Sequence, residues 1–471
     1  MLHLFQGFVD VDALVWMGHP KGSWCLPEVR GLGRGDAITL LDRAAEVGLL
    51  QRHDGGYYGI HPALPWFFRD LFERFYAAPR EAARRAFVEA MGELGNYFHN
   101  QYGGGNRDVI GFLGAEEANL LQARRLAREE DWWDPVTSAM QGLRMLYHHT
   151  GRRAEWRRLV KEIVPDFVDP ETEGPLQGRE EQWSLVTEYR VLLAEEELRW
   201  DEAERLQSVC VDWDRRRAAP FLELPRETLD GPQRNTVRSL AVSLHELGQT
   251  RRELGREDCV EAYEEALELA ESIGERAVAA ICAFNLGHVY KDLPALRDLQ
   301  EVERWYRRSL DLRDERDRLG RGGCFAQLGS VAFERFKEAR EAKRPEEELL
   351  RHLNEAALSY HEALEHIPAD VVDDLATIHN QLGNVYHTAV KTDRAVEHYR
   401  EAIRYREAQG NVYGASQTRF NVALALAQAG RPHDGLEYAR AALRGFESFG
   451  ERAADKIQQT RQLTEAIEKK L

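Results

Sequence analysis

Asn380-Gln381-Leu382-Gly383-Asn384-Val385-Tyr386-His387 and, after a short polar stretch, Ala395-Val396-Glu397-His398-Tyr399-Arg400-Glu401-Ala402 decide how the chain is read. In each segment apolar residues recur three and four apart, the period of an α-helix with one buried face. A residue as small as Gly383 lets two helices cross closely, and a ring on the second helix, Tyr399, is expected to fill the gap to the next hairpin. One such hairpin cannot bury its apolar face alone, so the pattern has to repeat.

It does. Leu247-Gly248, Leu286-Gly287 with Tyr290, and Leu328-Gly329 precede Leu382-Gly383 with Tyr386, and each is followed by a second-helix pair: Tyr263 and Ala266, Tyr306 and Ser309, Tyr360 and Ala363, Tyr399 and Ala402. The glycines lie at 248, 287, 329 and 383, spacings of 39, 42 and 54 residues, which marks a stacked-hairpin solenoid. A weaker last unit carries Asn421, Leu424, Ala439 and Ala442, and a charged helix over residues 451–471 is expected to cap the open end.

Composition agrees with this reading. At 471 residues the chain exceeds one compact core, and 43% hydrophobic with 30% charged residues suits a packed interior under a solvated surface. Glutamate, arginine, alanine and leucine dominate, which favours helix throughout. A net charge of -17 opposes polyphosphate, so nucleic acid is not an expected partner. The five cysteines are widely spaced without a C-x-x-C pair, the pattern of reduced cytosolic thiols. No leader and no membrane-spanning apolar run is evident, so a cytoplasmic location is expected.

Ahead of the repeats, Asp36 to Val47 reads as a helix ended by Gly48. Leu49 to His61 reads as two short strands around Asp54-Gly55, and a further helix is expected from about Pro62 to Tyr76. Helix, hairpin, helix is the order of a winged helix. From Arg80 to about Pro165 amphipathic helices are separated by Gly103-Gly104-Gly105, Asp134-Pro135 and Gly151. Val164 to Pro175, with three prolines, is expected to be a linker or rigid surface loop, and Ala219-Pro220 to Gly231-Pro232 a second break. The expected organisation is a winged-helix-like domain (1–79), helical hairpins (80–175), a repeat solenoid (176–450) and a capping helix (451–471), an almost wholly α-helical chain.

The repeats resemble the tetratricopeptide repeat family in its longer form of about forty residues. The match is close at Leu382, Gly383, Tyr386, Ala395, Tyr399 and Ala402, with Pro368 ending the preceding unit. The front of the chain resembles the winged-helix domain of STAND regulators, the NB-ARC-like signalling NTPases. The residues that carry this are Leu4-Phe5-Gln6-Gly7-Phe8-Val9-Asp10, Leu40-Leu41-Asp42 and Tyr58-Gly59-Ile60-His61-Pro62-Ala63-Leu64. Glu117 to Leu121 with Trp132, Tyr147, Gly151, Glu155 and Trp156 is similar to the helical segment that follows in that group.

The resemblance implies a signalling regulator whose repeats sense an inducer, and an NTPase domain encoded upstream or on another chain as a partner. No G-x-x-x-x-G-K-[ST] phosphate loop occurs in the sequence, and Gly18-His19-Pro20-Lys21-Gly22-Ser23 has neither the spacing nor the hydroxyl for one. ATP hydrolysis by this chain and bound cofactors are therefore not expected. In the family, the histidine matched by His61 contacts nucleotide phosphate in the neighbouring core; here Pro62 replaces the usual acidic neighbour.

By register, the first helices present His245, Gln249 and Arg252, then His288 and Lys291, then Asn380, Asn384 and His387 to the concave wall, where donors and acceptors suit a protein or peptide ligand. The competing reading is a DNA-binding regulator acting through the winged helix. Its helix offers Arg43 against Asp36, Asp42 and Glu46, too little base for phosphates. His148-His149 point about 100° apart on a helix and share no metal, and no serine sits in a G-x-S-x-G elbow.

Overall fold

The computed structural model describes the whole chain except residues 21, 23, 62, 63, 76–79 and 104 and the side chain of residue 73. It forms two compact units, Met1–Cys210 and Val211–Leu471. Helix predominates, with twenty α-helices and three short strands among the described residues.

The first unit opens with strand β1 (Phe8–Asp10), helices α1 (Val11–Met17) and α2 (Arg34–Glu46), strands β2 (Leu50–Arg52) and β3 (Tyr57–Ile60), and α3 (Leu64–Phe75). The strands form an antiparallel sheet in the order β1-β3-β2, with Phe8 opposite Gly59 and Leu50 opposite Ile60. Gly55 and Gly56 turn the hairpin at φ 76° and 93°, a region that only glycine enters freely. The Asp42 carboxylate on α2 accepts the Tyr58 hydroxyl at 2.7 Å, tying helix to hairpin. The helix ends expected at Pro62 and Tyr76, and the Gly104 of the glycine run, lie outside the described residues.

Six helices follow: α4 (Arg80–Gly103), α5 (Val109–Glu129), α6 (Trp133–His149), α7 (Arg153–Phe167), α8 (Glu180–Glu196) and α9 (Trp200–Leu222), the last containing the division between the units. Glu117, Tyr147 and Glu155 come together here. Glu117 accepts the Tyr147 hydroxyl and an Arg152 N–H, each at 2.7 Å, and Arg152 also donates to Glu155 at 3.1 Å.

The two breaks expected from proline are present but begin a few residues later, after α7 ends at Phe167 and α9 at Leu222. Pro165 sits in the last turns of α7 and Pro220 in those of α9. Near a helix C-terminus proline forfeits one N–H, and burial of neighbours such as Phe167 in the first unit and Ala218 in the second outweighs that loss. The loop 168–175 is tied by its own bonds: Val168 bridges Pro175, Asp169 accepts the Glu171 and Thr172 N–H groups, and the Trp183 indole donates to the Glu173 carbonyl at 2.9 Å.

Beneath β1, fully buried Glu116 accepts from the Asn119 amide at 2.8 Å, and Asn119 in turn bonds the backbone of Gln6 and Phe8. Burial, with a smaller contribution from Asp10, pushes the Glu116 carboxyl up to about 8. A carboxyl raised in the folded state contributes stability that is complete below its unfolded pKa and is lost as pH rises from there through 8. Glu116→Gln, neutral at every pH, is therefore expected to melt several degrees above the parent at pH 9 and nearly level with it at pH 4; a scanning calorimetry series in pH checks this.

The second unit is built from hairpins α10/α11 (Gly231–Glu253, Cys259–Ile273), α12/α13 (Arg276–Asp292, Leu299–Leu312), α14/α15 (Arg318–Glu341, Glu346–His366), α16/α17 (Val372–Thr388, Thr392–Ala408) and α18/α19 (Val412–Gln428, Pro432–Glu447), with α20 (Ala454–Glu468) packed on α19. Asp230 and Gln233 form a capping box that starts α10. The long spacing before Gly383 comes from α14 and α15, which run 24 and 21 residues against 17 and 14 for the preceding pair.

The tyrosines do something closer at hand than bridging to the next hairpin. Each packs on the glycine of its own hairpin: a methyl group on Gly248 or Gly329 would lie 3.0 Å from the Tyr263 or Tyr360 ring, on Gly287 2.5 Å from Tyr306, and on Gly383 closer still to Tyr399. Helix crossing distance is thus set by glycine against ring within every one of these units. The following small residue, Ala266, Ser309, Ala363 or Ala402, is fully buried, and Ser309 donates to the Ala280 carbonyl at 2.7 Å.

Candidate partner-binding surface

Because successive hairpins stack, the first helices α10, α12, α14, α16 and α18 recur at the same position in every unit, and side chains at matching register can meet their neighbours. On α10, His245 and Arg252 converge on one α12 residue. The Asn285 amide donates to His245 Nε2 at 2.8 Å and its oxygen accepts from Arg252 at 3.3 Å. Gln249, between them, is exposed. Lys291 on α12 donates to Gln327 on α14 at 2.9 Å.

On α16 the Asn380 oxygen accepts from Thr418 at 3.1 Å and from Asn421 at 3.5 Å, and His387 bonds Gln428 on α18 at 2.9 Å. The expected wall residues therefore form cross-links between first helices, in one group on α10 and α12 and another on α16.

Two of them turn inward. His288 bonds the Tyr306 hydroxyl at 3.2 Å and packs edge-on against Phe284, within its own hairpin. Asn384 accepts the Tyr399 hydroxyl at 2.8 Å and donates to Gln381. Both fix the tyrosine that covers the glycine.

Burial drives His245 down to about 4, with Arg252 adding to the effect. Burial also lowers His288 to about 4, helped by Arg252 and Lys291 against the opposing pull of Asp292. At neutral pH both are uncharged hydrogen-bonding groups rather than cations.

His61, in the other unit, is exposed just after β3, and its carbonyl accepts the first N–H of α3, from Leu64, at 2.9 Å. His379 pairs with His398 of α17 through their Nδ1 atoms at 3.1 Å, not with His387. Among the described residues no three His, Cys, Asp or Glu side chains are arranged to hold a metal ion, and no helix is long and apolar enough to cross a membrane.

The register holds residues that the sequence reading passes over. Two positions before the glycine stand Asn285, Gln327 and Gln381, an amide in three successive units. Three before and four after it, where α10 and α16 carry His245 with Arg252 and Asn380 with His387, α14 carries Ala326 and Phe333, and α12 carries Phe284 with Lys291. The polar wall is thus interrupted by an aromatic middle. Phe333 stacks on Phe336 at 5.9 Å under the Lys337 ammonium.

Known proteins bear on these observations at the level of the fold. The family model for the tetratricopeptide repeat matches residues 376–409, the stretch that begins in α16. No curated protein matches the sequence. Among solved structures, a STAND protein with a tetratricopeptide repeat sensor from Pyrococcus horikoshii aligns over 99% of this chain and 62% of its own, at 12% identity and a TM-score of 0.50. This chain therefore spans less than two thirds of that protein. BtubC from P. vanneervenii aligns over 54% of this chain and 92% of its own, at 20% identity and a TM-score of 0.43. Residues 376–409 match a tetratricopeptide repeat, the hairpins stacked around them make the second unit a helical solenoid of that type, and the chain as a whole is mostly α-helical.

Proposed function

We propose that the chain is a binding scaffold whose repeats take a protein or peptide along the first helices, and that it serves as the sensor arm of a STAND-type regulator. The observation that carries the binding reading is the row of cross-linked first helices, which holds His245, Lys291, Asn380 and His387 at fixed register with aromatic residues between. A partner strand with an apolar centre and polar flanks fits that order. The sensor reading rests on the sequence resemblance at the front of the chain, and its NTPase partner would be supplied upstream or by another chain. The chain itself is proposed to be non-enzymatic.

A DNA-binding role has less support. On α2, Arg34 is held by Asp12 at 2.8 Å, which leaves Arg43 against Asp36, Asp42 and Glu46, little base for phosphates.

Pull-down followed by calorimetry with the purified partner tests the proposal. Each polar contact is worth about 1 kcal/mol net, so Lys291→Ala/Asn380→Ala/His387→Ala is expected to weaken binding by roughly ten-fold or more. Asn354→Ala/Glu362→Ala/Glu365→Ala, on the exposed side of α15, should leave affinity unchanged. Equal binding by the first variant, folded, together with loss in the second, would place the partner on the other face.

A further inference from the structure

A cavity of about 700 Å³ opens in the first unit between α1, the β2-β3 hairpin, α4 and α5. Its volume lies within the range of small-molecule sites. Three large aromatic side chains that line it are open to solvent: Trp16 on α1 at 38%, Tyr97 on α4 at 56% and Phe112 on α5 at 43%. Phe112 lies nearly parallel to Phe98 with centroids 6.1 Å apart and is inclined 21° to Tyr57 at 6.3 Å. Exposed aromatics are common singly, but three around one cavity is the arrangement of a binding cage.

The charge of the lining has one sign. Among the described residues its ionisable carboxyl and ammonium-type groups are Asp10, Asp12 and Glu93, all acidic. Asp10, 4% exposed, caps α1 by accepting the Asp12 N–H at 2.9 Å. Arg34, which does not line the cavity, pairs with Asp12 and offsets one of the three charges. Burial raises the Asp10 carboxyl to about 6 against the backbone N–H groups it accepts and the Arg34 guanidinium, with the Asp12 carboxylate adding to the rise. Holding negative charge in this wall is costly even with Arg34 nearby, and a cation in the cavity would relieve it. Aromatic faces carry negative electrostatic potential as well, so rings and carboxylates favour the same ligand.

We propose that this cavity is a binding site for a small organic cation, an ammonium or guanidinium head held between Trp16, Tyr97 and Phe112 and balanced by Glu93 and Asp10. It is independent of the repeat surface, so either can fail without the other.

Isothermal calorimetry on the full chain with choline, agmatine and the neutral dimethylbutanol isostere of choline tests it. At least one cation is expected to bind more tightly than roughly 10 mM, and the neutral isostere about ten-fold more weakly than choline if choline is the one that binds. Trp16→Ala/Tyr97→Ala, both exposed, should abolish the heat of binding with an unchanged thermal melt, and Glu93→Gln should weaken it several-fold. Failure of both cations to bind, equal binding of the neutral isostere, or full affinity in Glu93→Gln and in a folded Trp16→Ala/Tyr97→Ala would overturn the assignment.

Discussion

Gly383→Ala is expected to destabilise the second unit by about 1–3 kcal/mol, and to stabilise it once Tyr399 has been removed. The methyl group would overlap the ring of Tyr399, which is fully buried and fixed by its hydrogen bond to Asn384, so neither partner has room to move. Alanine ordinarily favours a helix interior by roughly 1 kcal/mol over glycine, which makes the steric cost larger than the net loss. Tyr399→Ala alone should cost about 3–5 kcal/mol, as deletion of a buried ring does. In that background the added methyl meets space rather than ring, and only the helix preference remains. Gly323→Ala on α14 is the control: its nearest neighbour would be the Phe284 ring at 3.8 Å, an ordinary contact, so a gain of up to about 1 kcal/mol is expected. Urea denaturation of the parent, the two single variants and the double variant in a double-mutant cycle measures the coupling. Additive effects of Gly383→Ala and Tyr399→Ala would remove glycine-against-ring packing as the determinant of the hairpin crossing.

Half of that determinant is legible in the sequence: Gly383 reads as the close crossing of a hairpin, whereas Tyr399 reads as filling the gap to the next hairpin and in fact packs on Gly383 within its own. Features that depend on burial far along the chain are not legible. Pro165 and Pro220 read as breaks because proline is a local signal, whereas the packing of Phe167 and Ala218 that carries the helices onward is tertiary. The wall residues can be identified by position but not by partner. Asn285, Gln327 and Gln428 lie one repeat further on, and only the amide recurring two residues before the glycine hints at the cross-links. His379 invites comparison with His387 on its own helix, while its actual neighbour, His398, comes from the next. The cavity of the first unit is not legible at all, since Trp16, Tyr97 and Phe112 are brought together from three helices by the sheet and the helices packed on it.

Acidification from pH 7 to pH 5 is expected to lower the melting temperature of the second unit by roughly 10 °C, before most of its carboxylates titrate. Its histidines set the direction. Burial holds His245, His288 and His398 down to about 4, and it lowers His379 as well. The charges around them mostly act the same way: Arg252 on His245, Arg252 and Lys291 against Asp292 on His288, and His379, His361 and Arg394 against Glu401 on His398. In the unfolded chain each returns to about 6.5 and binds a proton first. A group whose folded pKa lies below its unfolded value contributes stability that is complete above 6.5 and is lost as pH falls toward 4. With partial solvent access allowed for, each of the three is worth on the order of 1 kcal/mol by pH 5, and a unit of this size loses about 2–4 °C per kcal/mol. Asp214, which burial raises, works in the opposite sense and trims the loss. The geometry makes the same point at one pair: His379 and His398 meet Nδ1 to Nδ1 at 3.1 Å, a contact that needs one donor and one acceptor and fails when both rings are protonated. His245→Gln/His288→Gln/His398→Gln keeps polar groups at these sites without the titration. Its melting temperature, followed by circular dichroism from pH 8 to pH 5, should change much less than that of the parent; an equally steep decline in the triple variant would assign the acid sensitivity to other groups.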